Sequence, residues 1–229
     1  MEGTFWNTLS KDLHLYTAYL DKQRDSLVRI VSYISCNNPS CTKRLRPLRC
    51  TYKTATGSLG TFAAYVELME KHITRFPLQP AKVVCPFPTY LATQVRSKNL
   101  FVGVLKASKG GKPKFWIRVM QTPKLSKAKC CAVCVKPVFG RLATLHRVAE
   151  FIANYRVVGA RHFFLYDAAM TEALKTLLAR FQSAGIDVTV IDFKLPFNNT
   201  LVHRWGQMAA LYDCMMRAVA KAEWFLPWI

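Results

Sequence analysis

The sequence predicts an α/β chain in two parts, a mostly β portion over residues 1–127 and a parallel strand-helix-strand sheet over 128–229. Two observations carry this. Up to about Lys127, short apolar runs recur at strand length, separated by Gly/Pro-rich punctuation such as FPLQP, PFP and SKGGKP, the mark of a β-rich domain. From Lys129 onward, apolar runs alternate with stretches of helical periodicity, which implies βαβ units and right-handed crossovers.

In the first part, Leu13 to Leu20 and Ser26 to Ser35 read as two strands around a polar turn at Asp21 to Asp25. The stretch CNNPSCTKRLRPLRC carries Asn, Pro and Ser turn chemistry with Lys43, Arg44, Arg46, Arg49 and Lys53 close by, and reads as a basic loop stapled by Cys36, Cys41 or Cys50. Further strands are expected over Phe62 to Met69, Ala81 to Cys85, Leu100 to Leu105 and Phe115 to Met120. None of these segments presents catalytic chemistry.

In the second part, CAVCVKPVF is a continuous apolar run ended by Pro137 and Gly140, as in a strand buried on both faces. Leu145, Val148, Ile152 and Tyr155 then recur at helical spacing and stop at Gly159, a suitable C-terminal cap. The strand HFFLYD follows. A second helix, marked by Leu174, Leu177, Leu178 and Phe181, begins near Thr171-Glu172 and closes at Gly185; Val188 to Phe193 is a third strand. After the loop KLPFNNTL, a third helix is traced by Trp205, Met208, Tyr212, Met215 and Val219, ahead of a fourth apolar run, EWFLPWI. Pro227 fits a central strand badly, since it donates no ladder hydrogen bond.

The formal charge is +20, from 33 Lys and Arg against 13 Asp and Glu. Such a balance admits a polyanionic partner, a glycosaminoglycan or a nucleic acid. The basic residues are scattered singly, however, and a solvated surface with no specific nucleic acid is the simpler reading. No run approaches the roughly 18 apolar residues of a membrane span, and no signal peptide is expected in the sequence as written. Cys131 and Cys134 form a CxxC, but zinc needs four ligands, and strand alternation sends the two side chains to opposite faces. Buried thiols or one disulfide account for them better. Among Cys36, Cys41, Cys50 and Cys85 three pairings are possible, and nothing in the sequence chooses.

Ligands of parallel sheets bind beyond the carboxyl ends of the strands. Those ends fall at Lys136 to Arg141, at Asp167 and at Phe193 to Asn199. With no GxGxxG and no GxxxxGK, neither a dinucleotide fingerprint nor a phosphate-binding loop is present. Asp167 either faces a ligand, bonding a ribose hydroxyl or a base N–H, or caps the next helix. Asp213 is a helix-interior carboxylate of poor propensity that is either functional or a surface residue on the polar face. His146, His162 and His203 are isolated and read as structural. Asn198-Asn199-Thr200 is a glycosylation sequon.

The segments CVKPVFG, EFIANYRVVGARHFFLYD, SAGI before DVTVIDF, and QMAALYDC before AEWFL together resemble glycosyltransferase family 92. In the first part, LHLYTAYLDKQRDSLVRIVSYI and VVCPFP are similar to the family's corresponding segments. The resemblance implies a GT-A (Rossmann-like) fold, here incomplete. It also implies transfer of a hexose, galactose in the members that act on N-glycan core fucose, from a nucleotide sugar such as UDP-galactose to a glycan acceptor. A divalent metal (Mn or Mg) and a membrane-anchored parent in the Golgi belong to the same expectation. Carried over by position, Lys136, Pro137, Asp167, Gln207 and Asp213 would line the nucleotide-sugar site. The family's Asp-x-Asp metal motif would follow the strand beginning AEWF and does not occur in this sequence. The resemblance therefore reads as a chain truncated before that motif, without the N-terminal anchor and inactive by itself, and the loop Ala168-Ala169-Met170 departs from the family's polar Asn-Ser-Ser.

Overall fold

The computed structural model describes residues 6–21, 27–36, 41–45, 47–70, 75–88, 90–91, 99–106, 111–121, 129–140, 144–219 and 222–228. They fall into two compact units. One comprises Trp6–Thr122 with Pro196–Trp205, and the other is built on Pro123–Leu195 and Gly206–Ile229.

The first unit is a β-sheet of eight strands, β1 (Asn7–Ser10), β2 (Leu13–Asp21), β3 (Leu27–Ser35), β4 (Leu48–Thr54), β5 (Gly57–Leu68), β6 (Leu78–Pro86), β7 (Phe101–Lys106) and β8 (Ile117–Gln121), in the order β1-β2-β3-β6-β5-β4-β7-β8. The sheet closes on itself because β8 also pairs with β2, in parallel, at Ala18↔Val119 through Leu20↔Gln121, while β1 uses the other end of the same edge at Asn7↔Leu15. Closure removes exposed edges and creates an interior filled by Leu13, Leu15, Ile30, Val83, Val102, Val104 and Tyr52.

Every residue of β2 from Leu13 to Leu20 is buried. Its inward residues line the barrel. On the other face, Trp6 stacks on Tyr16 at 4.6 Å, and Phe197 packs edge-on against Tyr33 at 5.4 Å and His14 at 4.9 Å. Phe197 belongs to the segment Pro196–Trp205, which also bridges to β6 through Leu78↔Val202. The chain thus returns a piece of the loop before its last helix to the barrel unit.

Two disulfides serve this unit. Cys36–Cys41 joins the end of β3 to a short helix, α1 (Cys41–Arg44), and Cys50–Cys85 links the non-adjacent strands β4 and β6, with both cysteines in the interior. The stretch expected to be a basic loop is corrected here: its end, from Leu48, is strand β4. There Leu48, Cys50 and Tyr52 face inward and Arg49 is exposed. The Tyr52 hydroxyl donates toward the carbonyls of Cys85 and Pro86 at 3.1 and 3.0 Å. The turn expected at Asp21 to Asp25 lies outside the described residues beyond Asp21.

The second unit alternates β9 (Lys129–Val135), β10 (Val138–Phe139), α2 (Leu145–Val157), β11 (Ala160–Ala169), α3 (Glu172–Ser183), β12 (Asp187–Asp192), α4 (Gln207–Ala218) and β13 (Ala222–Trp228). All strand pairs are parallel. β11 lies between β12 and β9, β10 continues along the edge shared with β9, and β13 pairs with the far side of β9. In chain order the main strands therefore run third, second, first, fourth, the reversal that characterises doubly wound sheets.

Local chemistry fixes the helices. Thr144 and Thr171 accept backbone N–H groups of Arg147 and Leu174 as N-caps of α2 and α3. Gly159 (φ 98°) and Gly185 (φ 79°) turn the chain out of them in the left-handed conformation. Val133, Ile152, Phe163, Leu165, Leu174, Leu178 and Val188 form the core between sheet and helices. Pro227 is paired on one side, with Cys134, and among the described residues β13 is an edge strand, where a missing donor is tolerated. Among the described residues no helix is long and apolar enough to cross a membrane.

Candidate carboxylate edge of the parallel sheet

Parallel pairing brings the carboxyl ends of the strands to one edge. Asp167 of β11 is in register with Asp192 of β12 on one side and with Val138 of β10 on the other. Lys136 and Pro137, between β9 and β10, arrive at this same edge, half-buried and buried respectively. Asp192 escaped the sequence reading; it was legible as the last polar residue of DVTVID, one strand over from Asp167.

Asp167 is buried, and both its carboxylate oxygens are engaged. Oδ1 accepts the Met170 N–H at 2.7 Å, and Oδ2 pairs with Lys175 Nζ at 3.1 Å. Lys175 also bonds Glu172 at 3.0 Å, and its hydrogen bonds to Glu172 and Asp167 raise its pKa. The first-turn cap of α3 is Thr171, so Asp167 organises the turn from strand to helix rather than capping the helix directly. Its neighbour Asp192 accepts the Lys194 N–H at 3.3 Å through Oδ1.

Asp213 occupies a different position. It is fully buried on α4, where Oδ2 accepts the Tyr166 hydroxyl at 2.6 Å and the Arg217 Nε–H at 2.8 Å. The surface alternative for this helix-interior Asp is thereby excluded. Its charge fastens α4 to β11, immediately before Asp167. Cys134 of β9 is bridged to Cys214, the residue after Asp213, so α4 is tied to two adjacent strands, one covalently. The CxxC is resolved accordingly: Cys134 is disulfide-bonded. Gln207, at the start of α4, is buried.

The entry to α4 is conformationally unusual. Arg204 (φ 46°, ψ 44°) and Trp205 (φ 56°, ψ 31°) are both left-handed and lead into Gly206 (φ 82°). For bulky L-residues each such conformation costs on the order of 1–3 kcal/mol.

Of the isolated histidines, His162 has a structural place. His162 is buried, its Nε2 3.0 Å from Thr189 Oγ1 and its Nδ1 2.5 Å from Asp187 Oδ2, both on β12. No group of three His, Cys, Asp or Glu among the described residues is placed to hold an ion. The described residues do not fit a divalent metal.

Fold and edge define a doubly wound α/β unit that presents carboxylates where such sheets take ligands. The model of glycosyltransferase family 92 matches residues 129–226. A curated relative, the beta-1,4-galactosyltransferase galt-1 of Caenorhabditis elegans, is 30% identical over 92 residues, covering 38% of this chain and 20% of that protein. The chain thus spans about a fifth of the length of the relative it matches. Among solved structures, the NADH-dependent reduced ferredoxin-NADP oxidoreductase is 13% identical with a TM-score of 0.20, over 86% of this chain and 65% of that one. The flavohem-like FAD/NAD-binding domain of the nitric oxide dioxygenase of Vibrio cholerae O1 biovar El Tor is 10% identical with a TM-score of 0.21, over 95% and 98%. Likenesses this slight carry no argument about fold or cofactor.

Proposed function

We propose that residues 129–226 form the nucleotide-sugar side of a GT-A type hexosyltransferase site, taking UDP-galactose as donor for a glycan acceptor. The observation that carries this is the carboxylate edge: in a unit that matches the glycosyltransferase family 92 model, Asp167 is held at the carboxyl end of the central strand, where an acceptor of ribose or base hydrogen bonds belongs. Lys136 and Pro137 flank it. Gln207 and Asp213 act from behind, Asp213 by holding α4 on β11.

Sugar transfer also needs positive charge on the departing diphosphate. The sequence contains no Asp-x-Asp, and the reading therefore assigns donor binding, not turnover, to this polypeptide. The disulfides Cys36–Cys41, Cys50–Cys85 and Cys134–Cys214 support folding in an oxidising compartment, in line with a Golgi lumenal, membrane-anchored parent.

Calorimetric titration with UDP, with and without Mn, tests the reading. The expected result is weak UDP binding that Asp167→Ala lowers at least tenfold, and no hexosyl transfer by the chain alone. Binding unchanged by Asp167→Ala would overturn the assignment of the edge.

A further inference from the structure

The segment that the barrel unit borrows from the loop before α4 carries the Asn198-Asn199-Thr200 triplet. We propose that Asn198 is an N-glycan attachment site; this rests on the lumenal-compartment part of the proposed function.

Asn198 is the first residue of the chain's one usable sequon. The other candidate, Asn38-Pro39-Ser40, is disqualified by its middle proline. Geometry adds what the triplet alone lacks. Asn198 and Thr200 are both exposed, and Asn199 between them is half-buried. Asn198 is extended (φ −62°, ψ 130°), and its Oδ1 accepts the Thr200 N–H at 3.0 Å. That Asx turn draws the threonine toward the asparagine side chain, and it uses the amide oxygen rather than Nδ2, the atom a glycan takes.

The triplet is also presented by anchors on both sides. Just before it, Phe197 packs on His14 and Tyr33; just after it, the buried Val202 bridges to Leu78. A tip held between two packed residues accepts a bulky polar substituent without disturbing either, as surface glycosylation requires.

In the reaction, Nδ2 of Asn198 forms a bond to C1 of an oligosaccharide carried on a lipid diphosphate. The C1–O bond breaks, the lipid diphosphate leaves with the electron pair, and the amide loses one proton. The transferase is the host's.

The full chain behind a cleavable secretion signal, translated into microsomes, provides the test. One glycan is expected, removable by peptide N-glycosidase and abolished by Asn198→Gln. Thr200→Ala should abolish it too while leaving the Oδ1 bond to the backbone N–H available, and Thr200→Ser should retain it. A lumenal chain that gains its disulfides, seen as a mobility change on reduction, yet carries no glycan overturns this proposal and leaves the compartment reading standing. A chain that forms neither overturns both.

Discussion

Replacing Asp213 by alanine removes the carboxylate from a site with 0% exposure and leaves two donors behind: the fully buried Tyr166 hydroxyl and the Arg217 guanidinium, whose side chain is 6% exposed. Truncating one partner of a buried ion pair costs ~3–5 kcal/mol, chiefly because the surviving charge stays buried without compensation. Asp213→Asn keeps an acceptor for Tyr166 and loses only the charge, so its cost is expected to be smaller. Asp213→Ala with Arg217→Met removes both charges and should regain much of the loss, a coupling that reports the pair rather than the cavity. The chain has two units and no single unfolding transition is assumed. Native-state hydrogen exchange on β11 and α4 is the appropriate assay, since it reads the opening free energy of the elements that Asp213 joins. An Asp213→Ala variant within ~0.5 kcal/mol of the parent, the range of ordinary surface changes, would refute the reasoning and return Asp213 to the polar face of the helix.

Three further outcomes are expected. The Cys134–Cys214 bridge spans a sequence separation of 80, for which loop-closure entropy gives about 4.5 kcal/mol; Cys214→Ser should lower the exchange protection of α4 by up to that amount, and far more than loss of Cys36–Cys41, with a separation of 5, affects β3. A Cβ on Gly103 would lie 2.4 Å from Pro113 Cβ, so Gly103→Ala should destabilise the barrel by ~1–3 kcal/mol, measured by urea titration; an unchanged midpoint would show that the loop carrying Pro113 yields. Burial lowers the pKa of His14 below 6.5. The unfolded chain then takes a proton at a pH where the folded one does not, so barrel stability is full above pH 6.5 and falls as the pH drops toward the folded value. His14→Gln should flatten that part of a pH-stability profile, and an unaltered slope would count against it.

Much of the second unit was legible residue by residue. Thr171, Gly159 and Gly185 set helix ends because caps and left-handed turns are local chemistry, and the alternation of runs with helical periodicity announced parallel strands. Asp167 was placed at the mouth because a polar residue ending an apolar strand of a parallel sheet has one place to go. Strand β4 was missed, although Leu48, Cys50 and Tyr52 alternate with Arg49, Thr51 and Lys53, because Pro47 and the basic cluster around it carry the stronger turn signal. The pairing of Asp213 with Tyr166, 47 residues away, leaves no periodic trace.

The sequence by itself determined the two rhythms, the positions of the caps and the similarity of residues 129–226 to glycosyltransferase family 92, since each of these is written in near-neighbour patterns or in motif order. Only the tertiary structure decided which cysteines meet, that the sheet of the first unit closes through β2 and β8, that Pro196–Trp205 packs with the barrel, and that Asp213 is a buried clamp while Asp167 stands at the edge. Those facts depend on contacts between residues far apart along the chain. A carboxylate's role is set by what surrounds it in space, and no local pattern records that.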